Sequence, residues 1–130
     1  MDKNYFFENH QLRMEIIDGI LHAHYKKGFK ITLEDARFLV TERLKLCEGR
    51  EYPFIIYDGG VISMDKAARD FLASVQGTQG IKIAAFVENS LFSKMLINFF
   101  LTVTKQRIKG KAFDSEEKAL EWIRLHEQAI

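Results

Sequence analysis

His22 and His24 are two residues apart in a stretch, "ILHAHY", that reads as a β-strand, so their imidazoles share one face. Two imidazoles are half of a metal site. A complete one needs a third or fourth His, Cys or carboxylate ligand, and none stands at a suitable local spacing. The expectation is a solvent-facing or lightly packed pair, with no metal. Cys47 is the single cysteine, has no evident catalytic partner, and falls in a segment of helical periodicity, where it reads as a small buried apolar residue. There is no Ser-His-Asp order, no nucleophile elbow and no phosphate-binding Walker loop. The sequence therefore predicts a protein that is not an enzyme and holds no cofactor.

Three further clusters raise the question of binding. Asp58-Gly59-Gly60, then Ser63, Asp65 and Lys66, lie between a buried strand and an amphipathic helix, a place where sites are often built. Adjacent glycines let a phosphate approach the backbone, but no Lys-Ser/Thr follows them, so a turn is the simpler reading. Ser63 reads as a loop or cap residue and Asp65 as a helix N-cap. Gly77-Thr78-Gln79-Gly80 has the Gly-x-x-Gly form of an RNA-clamping loop, yet carries no basic residue between the glycines and precedes a strand. A plain turn is expected there, and no nucleic-acid partner. Lys105, Arg107, Lys109 and Lys111 alternate along the last predicted strand. Such a row can meet an anion, but it more commonly guards an exposed sheet edge.

The elements that position these residues follow from periodicity. A short strand is expected over Tyr5 to Glu8. "LRMEII" and "ILHAHY" flank Asp18-Gly19, a tight-hairpin signal, with Leu12, Met14 and Ile16 on one face. From Leu33 the spacing turns helical through Ala36, Val40, Leu44 and Cys47, after a capping-box start at Thr32 and Asp35. "PFIIY" and "IKIAAFV" read as buried strands. Between them a helix is predicted to bury Ala67, Ala68, Phe71, Leu72 and Val75, with "QGTQG" turning the chain. A third helix, Leu91 to Val103, follows Ser90. "RIKGKAF" is a last strand, and Asp114 with Glu117 begins a final helix that buries Ala119, Leu120, Ile123 and Trp122. The order is a β-hairpin, then α-β-α-β-α-β-α: a mixed, mostly parallel α/β sheet with right-handed crossovers and four helices.

Composition sets outer limits. At 130 residues, 47% hydrophobic and 28% charged, the chain suits one globular domain spanning 1–130. A net charge of +1 gives no strong steering toward nucleic acid or anionic membrane. One cysteine allows no internal disulfide, and "MDKNYFFENHQ" has no long apolar run of a signal peptide, so a cytoplasmic location is expected. The most apolar stretch, Leu91 to Val103, is well short of the ~20 residues that span a bilayer.

That stretch is also unusual. Lys94, Asn98 and Thr102 form one thin polar stripe, and nearly everything else is apolar. A helix that covers one sheet face needs an apolar arc of only ~100° or somewhat more. The surplus calls for a neighbouring helix, a second copy of the chain, or a lipid-like ligand or membrane surface. Phe92, Met95, Leu96, Phe99 and Phe100 are the expected interface of a homodimer. If the chain instead carries an apolar small molecule or lipid, Phe92, Phe99 and Phe100 beside the basic strand Arg107 to Lys111 would hold it.

The hairpin start, the alternating elements and the loop after Tyr57 together resemble the STAS domain of anti-sigma-factor antagonists, the related CRAL/TRIO-type lipid-binding folds, and small bacterial STAS-like proteins of unknown function. The pattern spans nearly the whole chain, and its motif runs from Tyr57 to Leu72. In the antagonists a strand ends in Asp, and a loop leads to a helix start of Asp-Ser-Ser-Gly-Leu-Gly. Asp58 matches the strand-end aspartate, and Met64-Asp65 match the entry to the helix. The phosphorylated second serine of that motif is replaced by Ala67, the first by Lys66 and the glycine by Ala68. Phosphorylation there adds about two negative charges at a helix N-terminus and reverses partner binding. Ala67 cannot accept a phosphate. The resemblance thus implies a protein-interaction or regulatory module without the kinase-operated switch, its binding rim at Asp58 to Lys66.

Overall fold

The computed structural model describes residues 6–26, 30–57, 63–87 and 108–128. The first described residues form three antiparallel strands, β1 (Phe6–Glu8), β2 (Leu12–Ile17) and β3 (Ile20–Tyr25). Asn9 turns β1 into β2: its Oδ1 accepts from the backbone N–H groups of Gln11 (2.8 Å) and Leu12 (2.9 Å). Asp18 (φ 52°) and Gly19 (φ 78°) are both left-handed, as a two-residue turn with the twist of its strands requires. Strands β5 (Tyr52–Tyr57), β7 (Ile81–Val87) and β8 (Lys109–Phe113) then add in parallel, giving the order β1-β2-β3-β5-β7-β8. Pro53 is the second residue of β5, not its start, and the register with β7 shifts beside it. A residue with no N–H is tolerated at such an irregularity.

Three helices lie among the described residues: α1 (Leu33–Cys47), α2 (Lys66–Leu72) and α3 (Glu116–Gln128). The further helix expected over Leu91 to Val103, with Ser90, Lys105 and Arg107, lies outside them. On one face of the sheet Leu12, Met14, Leu21, Ala23, Phe54, Ala84 and Phe86 pack with Leu39, Leu46 and Cys47 of α1. On the other, Ile20, Ile55, Ile83 and Ala85 pack with Ala119 and Ile123 of α3. Because β5 and β7 are covered on both sides, their sequences run apolar instead of alternating.

The fold also holds a second, two-stranded sheet. Two-residue strands β4 (Lys30–Ile31) and β6 (Ser63–Met64) pair in parallel and bring the starts of α1 and α2 side by side. Strands this short carry no periodicity to read. Ile31, Ala36, Met64 and Ala68 form a small core beneath them.

Several boundaries differ from expectation. In α1 the buried face is Ala36, Leu39, Val40, Arg43, Leu46 and Cys47, so Leu33 and Leu44 give way to residues that include a charge. Helix α2 stops at Leu72; Ala68 is buried, Phe71 and Leu72 are half-buried, Ala67 is exposed, and Val75 lies beyond the helix at 62% exposure. Helix α3 is capped by Ser115 rather than Asp114: Ser115 Oγ accepts from the Lys118 N–H at 3.2 Å, while Asp114 pairs with the Lys118 ammonium at 3.2 Å. The capping box of α1 is as expected, with Asp35 N–H donating to Thr32 Oγ1 (3.1 Å) and Thr32 N–H to Asp35 Oδ2 (3.0 Å). Thr32→Ala removes one of these bonds and is expected to lower unfolding free energy by about 1 kcal/mol in a urea titration. An unchanged midpoint would show that the β4–β6 pairing alone sets the start of α1.

Candidate functional site

The residues singled out by sequence separate into three groups. Asp58, Gly59 and Gly60 lie outside the described residues, as do Phe92, Met95, Leu96, Phe99 and Phe100. Ser63 is in β6, its backbone paired with Lys30. Asp65 and Lys66 begin α2. Asp65 Oδ1 accepts from the Ala68 N–H at 2.9 Å, so it is the N-cap. Lys66 is 79% exposed and pairs with Asp70 at 2.8 Å, one helical turn on. Ala67 is exposed beside it, which puts a methyl group on the surface of the first turn.

Gly77 and Thr78, from the Gly-x-x-Gly stretch, are buried in a turn and not displayed as a clamp. Arg43 Nη2 donates to the carbonyls of Gly77 (2.9 Å) and Gln79 (2.7 Å). Cys47 is buried and free. Lys109 and Lys111 are exposed on β8, an edge strand of the sheet among the described residues.

The pair His22 and His24 is more elaborate than a lightly packed pair. Parallel pairing of β3 with β5 sets His22 opposite Ile55 and His24 opposite Tyr57. The Tyr57 ring stacks on His24 at 4.0 Å, with 4° between the planes. The Tyr57 hydroxyl donates to the Glu116 carboxylate on the first turn of α3 at 2.7 Å. Its one proton is thereby committed, so its contact with His22 Nδ1 at 3.0 Å is an N–H donated by the imidazole. A chain His22–Tyr57–Glu116 thus links β3, β5 and α3. His22 is only 7% exposed. Burial pushes its imidazole below the usual histidine range, with partial relief from Glu116, Glu15 and Asp18. Partial desolvation of its ring also lowers His24, although the residue as a whole is exposed, and the neighbouring charges of His22 and Arg13 add to the effect, against Glu116 and Glu15. Burial and the bond to Glu116 push the Tyr57 phenol up, so it stays protonated. Residues 35 and 59 positions apart meet here, which no local spacing could announce. The cluster holds a protonated hydroxyl that donates to a carboxylate and accepts from an imidazole N–H; among the described residues no group of three His, Cys, Asp or Glu is placed to hold a metal ion.

The sequence pattern of a domain of unknown function, DUF7793, matches residues 14–127. The chain belongs to the DUF7793 family. The matched region contains the whole His22–His24–Tyr57–Glu116 cluster and the start of α2. No curated protein matches the chain in sequence. In three dimensions the DUF7793 domain is similar to the crystal structure of an uncharacterized protein of the DUF3478 family, with a SpoIIAA-like fold, from Shewanella loihica PV-4. The TM-score is 0.67 over 95% of this chain and 98% of that one, at 17% identity. An identity this low shows the fold, and the fold is STAS-like. No described helix of this DUF7793 domain is long and apolar enough to cross a membrane.

Proposed function

We propose that the chain is a non-enzymatic protein-interaction module that docks a protein partner through the rim at the start of α2, without a phosphorylation switch at Ala67. One observation carries this reading. Ala67, which stands where the antagonist resemblance places the phosphorylated serine, is exposed on an Asp65-capped first turn beside the exposed Lys66. The surface is presented to solvent, and the side chain at its centre has no oxygen to modify. A regulatory input, if the module has one, enters elsewhere.

Ala67→Glu places a negative charge where the antagonists acquire one. Since Ala67 is exposed, the substitution should leave the unfolding midpoint close to wild type. The expected result is a partner recovered with the wild-type chain whose affinity falls roughly tenfold or more with Ala67→Glu. Partners that bind both forms equally would overturn the reading. Native mass spectrometry of the purified protein supplies the complementary test. It reports whether the homodimer expected from the Phe92 to Phe100 segment forms, and an apolar adduct retained by a monomer would favour a carrier instead.

A further inference from the structure

Helix α3 packs chiefly over β5, β7 and β8. The histidines sit where this cover ends, between α3 and the β2–β3 half of the same sheet face. Of the charged groups around them, Arg13, Glu15 and Glu116 are engaged. Across the β2–β3 register His24 faces Arg13 and His22 faces Glu15. Glu15 is paired with Arg13 at 3.1 Å. Glu116, on α3, accepts from Tyr57. Asp18 is at the hairpin tip, exposed. Neither imidazole has a carboxylate of its own among the described residues, and the two rings lie nearly parallel, 6.5 Å apart. Protonating both would place two new cations beside Arg13 on a partly dry surface.

We propose that His22 and His24 form a proton-operated catch on α3: while both are neutral, His24 stays stacked on the Tyr57 ring that grips Glu116; when both are protonated, His22 keeps its Nδ1–H bond, but His24 is repelled by His22 and Arg13, leaves the ring and loosens that grip. His24 is the mobile member, because it is exposed and held mainly by stacking. His22, buried and hydrogen-bonded, is the fixed one. The sign follows from the direction of both shifts. Groups whose folded form prefers to be neutral contribute stability that is complete well above the ordinary histidine value of about 6.5 and is lost as pH falls through it. The loss should concentrate at the start of α3, where Glu116 is tied, before the whole domain unfolds. This goes beyond the docking reading, which concerns α2, and either can fail alone.

The test is amide exchange at Lys118 and Ala119, whose N–H groups bond to Ser115 at the start of α3, together with histidine titration by NMR. In the wild-type chain both amides should exchange roughly fivefold faster at pH 5.5 than at 7.5 after correction for intrinsic rates. Both histidines should titrate below the usual range. His22→Gln should raise the His24 titration by removing a neighbouring cation. The double variant His22→Gln/His24→Gln should abolish the pH dependence of exchange. Wild-type protection that is the same at both pH values overturns the proposal, whether or not the variants fold. So does a pH effect that survives in the double variant, or protection that increases on acidification, which would mean that a charged His24 grips the Tyr57 ring more tightly.

Discussion

Gly77→Ala should destabilise the fold by roughly 3 kcal/mol or more, an effect at the upper end for adding one methyl group. A Cβ at Gly77 would lie 2.0 Å from the Phe71 carbonyl oxygen and 2.7 Å from the Leu72 Cα. Both are backbone atoms at the end of α2, so no rotamer change makes room. The turn must back away, and with it the bond from Gly77 N–H to Ser74 Oγ at 3.1 Å and that from Arg43 to the Gly77 carbonyl. The contrast with Gly19 isolates the cause. Gly19 is left-handed at φ 78° with nothing within 4 Å of its added Cβ, so Gly19→Ala meets conformational strain without a clash and should cost about 1–2 kcal/mol. Urea unfolding of the two variants decides the matter. If Gly77→Ala is no worse than Gly19→Ala, the turn is not seated against α2 as described.

Arg43→Leu should cost about 2–4 kcal/mol. The guanidinium lies over the Phe54 ring at 5.4 Å and reaches two carbonyls of the same turn. Leucine keeps part of the packing but donates nothing. The Gly77 carbonyl, in a buried residue, then loses its donor without water to replace it, whereas that of the exposed Gln79 can be hydrated. The loss is offset in part because burying a guanidinium is itself unfavourable, and Arg43 Nε is buried with no hydrogen-bond partner. Arg43→Lys should recover little, since a point charge on a flexible stem cannot match the planar fork. Gly77 and Arg43 secure one turn from opposite sides, so the double variant should lose less than the two losses added together. Strict additivity in a double-mutant cycle would show that the two anchors act independently.

These residues also mark where reading by sequence fails. The strands of the opening meander, the Asp18-Gly19 turn and the start of α1 are written in local terms: alternation, two left-handed positions, a threonine three residues before an aspartate. Each is enforced by atoms a few residues apart. Arg43 occupies a core position of α1 that a hydrophobic pattern passes over, because its charge is answered by carbonyls 34 and 36 residues away. Gly77 reads in sequence as half of a Gly-x-x-Gly loop, and its constraint in the fold is the proximity of another backbone. The His22–Tyr57–Glu116 chain depends on which residue of β5 lies beside which residue of β3, a parallel register fixed by the crossover and by packing on both faces. Only the two histidines, on one strand, could be placed together beforehand. At the start of α3, Asp114 and Ser115 are both good caps, and sequence alone gave no reason to prefer the second.

Helix α2 has seven residues, too few for a helix to persist in water by itself. It is nonetheless fastened at both ends. At its start the β4–β6 pairing and the small core of Ile31, Ala36, Met64 and Ala68 tie it to α1. At its end the Gly77 turn presses on Phe71 and Leu72, and Arg43 ties that turn to α1 again. The helix is a rung between two fixed points. A partner that docks at Lys66 and Ala67 would meet a surface already set in shape. It would lose little conformational entropy in ordering that surface, and a pull on the rim would be borne by α1 and the sheet beneath it.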